Sequence, residues 1–195
     1  MLVSSLGSKN LSRNPDIYSE LISHLRTYAV RTDGPFTLRS GAVSDWYLDA
    51  RQTTFSGRGA RLVGEVVLAH IDARSQAVGG LTMGADPVAI ATAIAGDANG
   101  RDLVAFSIRK EAKTHGTGGR LVGPVAPGTP VTILEDTTST GGAMVEAIGA
   151  AREAGLQIRH ALALIDRSGG AAAERMTALG VSYSTIITPA DLGVD

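Results

Sequence analysis

Apolar residues recur along this chain with two different periods, and the alternation between them lays out the elements. Ile17, Leu21, Ile22 and Leu25 fall at helical spacing between Asp16 and Val30, which predicts an amphipathic helix. Phe36–Arg39 and Trp46–Asp49 flank the turn-like stretch Ser40–Ser44, a pattern that predicts a β-hairpin. Leu62, Val63, Val66, Val67 and Ile71 form one stripe of a second helix over Arg58–Ala73. From there strands and helices alternate: strand Ala77–Leu81, helix Pro87–Ala98, strand Leu103–Ile108, strand Val131–Leu134 and helix Gly141–Ala154 closed by Gly155. Strand Ile158–Ile165, helix Ala171–Leu179 with Gly180 after it, and strand Val181–Ile187 complete the series. Between Ile108 and Val131 the polar, glycine-rich stretch Arg109–Arg120 reads as a loop.

Strands alternating with helices predict an α/β fold, a central and mainly parallel sheet flanked by helices. Ligands of such sheets bind beyond the carboxyl ends of the strands. At 195 residues, with no repeat, linker or low-complexity block, one domain over 1–195 is the expectation. Residues 1–15 read as a loose arm, and about 16–56 as a helix-and-hairpin hood over the strand ends.

Composition narrows the chemistry. Eighteen basic and nineteen acidic residues leave a net charge of -1, so there is no whole-protein basic field for nucleic acid. With no cysteine there is no disulfide framework and no thiolate metal site. The histidines His24, His70 and His160 read as structural or exposed, and no pair has metal-ligand spacing. No apolar run approaches the ~18 residues that cross a bilayer, and Met1–Arg13 lacks the apolar core of a signal peptide. A soluble, cytoplasmic protein without a membrane partner is the expectation.

The most informative stretch runs Val131-Thr132-Ile133-Leu134-Glu135-Asp136-Thr137-Thr138-Ser139-Thr140-Gly141-Gly142-Ala143. Hydroxyls and backbone N–H groups at a helix N-terminus make an anion site, and glycines let backbone approach a phosphate. Two acids would repel a lone phosphate but suit vicinal hydroxyls, or a Mg²⁺ that travels with a polyphosphate. The combination asks for a phosphorylated sugar. The bland alternative is a core strand followed by a helix capped by Ser139 or Thr140, which leaves the acid pair unexplained. The stretch resembles the 5-phosphoribosyl 1-pyrophosphate motif of type I phosphoribosyltransferases. By that resemblance Glu135 and Asp136 hold the ribose 2- and 3-hydroxyls, and Thr137, Thr138, Ser139, Thr140, Gly141, Gly142 and Ala143 cradle the 5-phosphate.

A second stretch, Arg109-Lys110-Glu111-Ala112-Lys113-Thr114-His115-Gly116, puts four potential cations within seven residues and is followed by glycines. A solvated charge run is the usual explanation of such clusters. This one begins where an apolar strand ends, on the ligand side of a parallel sheet, and its glycines suit a closing lid. The stretch is similar to the catalytic loop of orotate phosphoribosyltransferases. The resemblance implies that Arg109, Lys110, Lys113 and His115 neutralise the departing pyrophosphate, with Lys110, Lys113, His115 and Asp136 as the catalytic set. It also implies a homodimer in which the 109–120 loop is shared across the interface.

Further segments carry the same resemblance. Leu38-Arg39-Ser40-Gly41 and Ser44-Asp45-Trp46-Tyr47 match a family segment near the base, with Arg39 in place of the usual lysine, an exchange that keeps the charge but not the shape. Arg39 is thereby a candidate for the base or the pyrophosphate and Tyr47 for the base, and hairpin packing is the equal alternative for Tyr47. Ile165-Asp166-Arg167 matches the family's Asp-Arg, whose arginine binds the orotate carboxylate through a bidentate fork. A surface ion pair of Arg167 with Asp166 or Glu174 is the alternative, and Ser139 also touches orotate by the resemblance. One departure stands out. Some family members carry a lysine in the pyrophosphate loop, whereas Leu81-Thr82-Met83-Gly84-Ala85 has Met83 near that position. Backbone N–H groups of Thr82–Ala85 remain to hold the pyrophosphate or the water shell of its Mg²⁺.

The reading implied is an orotate phosphoribosyltransferase with Mg²⁺ as cofactor, held mainly through substrate and water rather than by a protein ligand set. A phosphoribosyltransferase for a purine or uracil is the nearer rival, since it shares residues 135–143. A non-catalytic regulator on the same fold is the further one, and it would need a basic surface that the charge balance does not supply.

Overall fold

The computed structural model describes residues 15–37, 41, 43–113 and 119–194, with backbone alone at 15, 112 and 113. The chain opens on α1 (Pro15–Tyr28), followed by four two-residue strands: β1 (Val30–Arg31), β2 (Phe36–Thr37), β3 (Val43–Ser44) and β4 (Tyr47–Leu48). Then come α2 (Arg51–Thr54), α3 (Gly57–Leu68), β5 (Ala77–Leu81), α4 (Ala85–Ala98), β6 (Val104–Lys113) and β7 (Gly119–Val122). The series ends with β8 (Pro130–Thr138), α5 (Gly142–Glu153), β9 (Gln157–Asp166), α6 (Ala171–Ala178), β10 (Tyr183–Ile187) and one 3-10 turn, Ala190–Leu192. The arm expected over 1–15 lies outside the described residues, except for Pro15, which starts α1.

Six strands form one sheet in the order β10-β9-β8-β5-β6-β7. All neighbours are parallel except β6 and β7. The expected α/β architecture with a mainly parallel sheet is therefore what the chain builds. Side chains alternate across it. Val78, Leu134, Leu162 and Leu164 pack with α1, α3 and α4 on one face. Ala77, Ile133, Ala161 and Ala163 pack with α5 and Met176 of α6 on the other. Strands buried on both faces explain the near-continuous apolar runs in β5 and β9.

Three expectations are corrected. The hairpin does not pair Phe36–Arg39 with Trp46–Asp49: β2 pairs with β3, and Tyr47–Leu48 of β4 pairs with Val30–Arg31. The helix expected to reach Val30 ends at Tyr28, and the extended residues Val30 and Arg31 find a ladder partner. Secondly, Arg109–Lys113 is not loop but the continuation of β6, and Gly119–Val122 returns beside it as antiparallel β7. The segment is paired at its two ends, Ile108 with Leu121 and Lys113 with Gly119, across a register shift, although its side chains carry no apolar signal. Thirdly, β8 does not stop at Leu134 but runs to Thr138, so the acid pair lies within the strand.

β5 leads through α4 to β6 on one side, whereas β8 leads through α5 to β9 on the other. The order in which strands are added thus reverses between the parallel neighbours β5 and β8. At that point the connections diverge and leave a crevice beyond the strand ends.

Candidate active site

A cleft of about 620 Å³ opens at this crevice. Its lining combines Leu81–Ala85 from the end of β5 to the start of α4, Glu135 and Asp136 on β8, Lys110 on β6, Arg51 at the start of α2, and Ala143, Met144 and Glu146 on α5. The loop and the strand meet closely because residue 84 has no side chain. A Cβ on Gly84 would lie 2.3 Å from Asp136 Oδ1. Thr82 Oγ1 donates to Asp86 Oδ2 at 2.6 Å, which ties the loop to the first turn of α4.

The acid pair is held in a costly environment. Burial pushes the Glu135 carboxyl up to about 7, the Asp136 and Asp166 charges add to the rise, and a hydrogen bond with Thr138 opposes it. Burial also raises Asp136. Against that rise work the Thr137 N–H, which donates to Asp136 Oδ1 at 2.8 Å, and the nearby Arg51 charge. Glu135 Oε2, Thr137 Oγ1 and Asp86 Oδ1 are buried without hydrogen-bond partners. An unmet buried polar atom costs ~1–3 kcal/mol, and two of these three belong to the end of β8. Such a site is stabilised by hydroxyl donors or by a cation.

The turn after β8 is shaped as an anion cradle. Gly141 has φ of 75°, a left-handed conformation suited to glycine, and it is the N-cap of α5. Its N–H donates to Thr138 Oγ1 at 3.0 Å, and the Gly142 N–H to Thr140 Oγ1 at 3.3 Å. The expected cap by Ser139 or Thr140 is therefore corrected: Gly141 takes that position, and Ser139 and Thr140 stay exposed in the turn. Gly142 and Ala143 form the first turn of α5, where N–H groups have no helical acceptor.

Beside this cleft, a second hollow of about 500 Å³ lies at the ends of β9 and β10. Trp46, Asp166, Arg167, Thr185 and Thr188 are among its lining residues. The Arg167 guanidinium sits over the Trp46 ring, 4.6 Å from its centroid. No ion pair of Arg167 with Asp166 or Glu174 forms among the described residues. Asp166 instead accepts from the Tyr183 hydroxyl at 2.8 Å and from the Ser168 N–H at 2.6 Å. The Arg167 N–H donates to Thr138 O at 2.9 Å, so the carboxylate-binding candidate and the anion turn are adjacent strand ends.

The remaining candidates are distributed unequally. Arg109 is half-buried on β6, and its carbonyl accepts from Arg120 Nε at 2.6 Å. Lys110 is exposed and lines the cleft. Lys113 ends β6 in backbone, while its side chain, His115 and Arg39 lie outside the described residues. Tyr47 lines neither hollow and packs against Phe36, with ring centroids 5.8 Å apart. Sequence reasoning missed Arg51, Trp46 and the Arg120–Glu146 ion pair that ties β7 to α5. Arg51 belongs to no motif, Trp46 and Arg120 lie in matched stretches without being singled out, and only the folded chain brings them to the strand ends.

A mostly parallel sheet whose switch point presents an acid pair, a hydroxyl–glycine turn and a basic arm defines a type I phosphoribosyltransferase. No family model matches the chain. It is 42% identical to the orotate phosphoribosyltransferase of Streptomyces coelicolor over 92% of its own length and 99% of that protein's. Among solved structures it superimposes on Mycobacterium tuberculosis orotate phosphoribosyltransferase in complex with Fe(III) dicitrate, with a TM-score of 0.80, 36% identity and coverage of 91% and 99% of the two chains. The same protein in complex with 5-phospho-α-D-ribosyl 1-diphosphate gives a TM-score of 0.76 at 32% identity, with the same coverage. The chain belongs to the orotate phosphoribosyltransferase family.

Proposed function

We propose that this protein transfers the 5-phosphoribosyl group from 5-phosphoribosyl 1-pyrophosphate to orotate, giving orotidine 5′-phosphate and pyrophosphate in pyrimidine biosynthesis. The observation that carries the reading is the end of β8. A half-buried acid pair, with Glu135 Oε2 unmet, runs straight into a hydroxyl–glycine turn, and Arg167 stands just past the end of the next strand. A family relative crystallised with the donor supports the same assignment.

Glu135 and Asp136 accept hydrogen bonds from the ribose hydroxyls, and residues 137–143 hold the 5-phosphate. Arg167 forks onto the orotate carboxylate, which a purine or uracil lacks. Ser139 and the segment with Arg39 close the base side, under a hood formed by α1 and the short strands, in which Tyr47 packs against Phe36. The C1–O bond to pyrophosphate then breaks, the orotate nitrogen bonds to C1, and the proton of that nitrogen passes to the departing pyrophosphate or to water. The electron pair of the broken bond leaves on pyrophosphate, opposite Arg109, Lys110, Lys113 and His115. Asp136 and Glu135 stabilise positive charge on the sugar as it develops. Mg²⁺ fits this donor set, because two carboxylates held at raised pKa gain from a nearby cation. No group of three metal-ligating side chains occurs among the described residues, so the ion would be held chiefly by the donor's oxygens and water, supplying charge neutralisation. We place the working form in the cytoplasm as a homodimer that shares the 109–120 segment.

An absorbance assay with orotate, 5-phosphoribosyl 1-pyrophosphate and Mg²⁺ tests the reading. Metal-dependent loss of orotate with release of pyrophosphate is expected. Turnover of adenine, guanine or uracil in place of orotate would move the assignment to another base. Donor binding without any turnover would leave a regulator.

A further inference from the structure

The departure at Met83 leaves a chemical gap. The pyrophosphate side of the cleft has Thr82, Met83 and Gly84 in its loop, none of them charged. The cleft is lined by three acids, Glu135, Asp136 and Glu146, and a diphosphate brought beside them needs positive charge close by. Among the described residues the lining cations are only two, Lys110 and Arg51. Lys110 belongs to the basic arm. Arg51 belongs to no motif, yet it faces the same space from α2 as Met83 and Gly84 do from the loop.

We propose that Arg51 binds the pyrophosphate end of the donor, supplying the cation that the 82–84 loop lacks. The inference rests on the donor reading above and deepens it. Three features support it. Arg51 is anchored: its Nε donates to Asp49 Oδ1 at 2.7 Å, and its backbone N–H to the same oxygen at 3.2 Å. Among the described residues no other hydrogen bond is formed by the side chain, so the Nη edge of the guanidinium is left for a ligand. Arg51 is also half-exposed in the cleft, with 51% of its side-chain surface accessible, as a group waiting for an incoming anion would be. Its charge acts on Asp136 across the cleft, which places the guanidinium within electrostatic reach of the ribose-binding acid. A planar fork held at one edge and open at the other matches two phosphate oxygens. Asp49 orients the fork, and Gln52 Nε2 donates to the other oxygen of that carboxylate at 3.2 Å.

The test compares wild type with Arg51→Ala, Arg51→Lys and the double variant Arg51→Ala/Met83→Lys. Calorimetry with Mg²⁺ plus pyrophosphate, and with Mg²⁺ plus the donor, reads binding without any acceptor base. Orotate turnover is measured separately. Arg51→Ala should weaken pyrophosphate and raise the donor KM by about tenfold or more, the loss of one charge-assisted hydrogen bond. The KM for orotate and the melting temperature should hardly move. Arg51→Lys should recover part of the loss, and Met83→Lys should recover part of it in the Arg51→Ala background. Unchanged pyrophosphate and donor affinity in Arg51→Ala overturns the proposal, as does a loss that tracks a falling melting temperature and that neither lysine repairs. Wild type that binds the donor but leaves orotate untouched would refute the acceptor assignment alone, and the Arg51 comparison would still be read. Wild type that binds neither donor nor pyrophosphate overturns both.

Discussion

Glu135 is a carboxyl group that folding makes harder to ionise, and the unliganded protein should reveal this in its stability. Its folded pKa of about 7 lies above the ordinary value of 4.5, because burial disfavours the charged form. Between those two values the unfolded chain has lost the proton that the folded chain keeps. Stability therefore falls as pH rises from about 4.5 to 7, by roughly 3 kcal/mol for a shift of this size, and levels off above. Asp136 is raised as well and steepens the acidic end of the same slope. Glu135→Gln removes the ionisable group while keeping its size, so urea unfolding of the variant at pH 5 and pH 8 should show a clearly smaller difference than wild type. Equal slopes in the two proteins would mean that Glu135 is not buried as described. The unmet Glu135 Oε2 points the same way: the site is built for its ligand rather than for its own stability.

At the scale of elements, the basic segment is a strand arm rather than a free lid over its first half. β6 continues past the buried Ile108 to Lys113, and β7 returns beside it. Arg120 fastens this arm twice, through Arg109 O and through an ion pair with Glu146 of α5. The ion pair is partly exposed, with side-chain accessibilities of 23% and 43%. Its loss should therefore cost less than ~1 kcal/mol of stability. Its effect on catalysis should be larger, since the arm carries Lys110 into the cleft. Arg120→Ala is expected to lower kcat several-fold with the orotate KM and the urea midpoint nearly unchanged. A kcat equal to wild type would show that the arm seats itself without α5.

At the scale of the whole molecule, the shared 109–120 segment of the proposed dimer makes a sharp prediction. Lys113→Ala damages the arm, and Arg167→Ala damages the base side. If each arm serves the neighbouring subunit, a mixed dimer of the two variants has one intact site and one doubly damaged site. Co-refolding equal amounts should then yield about a quarter of wild-type activity, half the dimers being mixed and half of their sites intact. A mixture no more active than the mean of the two variants would place the arm in its own subunit's site.

Apart from the β6–β7 arm, the elements from β5 onward were legible in the chain alone, because strands buried on both faces leave unbroken apolar runs and helices leave stripes. The acid pair and the hydroxyl–glycine turn, proposed to cradle phosphate, were legible there too, since an anion-binding turn is local chemistry written in consecutive residues. What the sequence could not show was anything set by contact between distant segments. Leu48 pairs with Val30 and not with the Phe36 strand, a choice made by packing against the core rather than by alternation. The arm over Arg109–Lys113 carries no apolar period, so only its antiparallel partner reveals it as strand. Trp46 reaches Arg167 across 121 positions, and Arg51 of α2 meets Met83 and Asp136 in the cleft at the switch between β5 and β8. Local periodicity encodes which residues become helix or strand, whereas the side chains that meet at the strand ends are chosen by the order in which the strands assemble, and that order exists only in three dimensions.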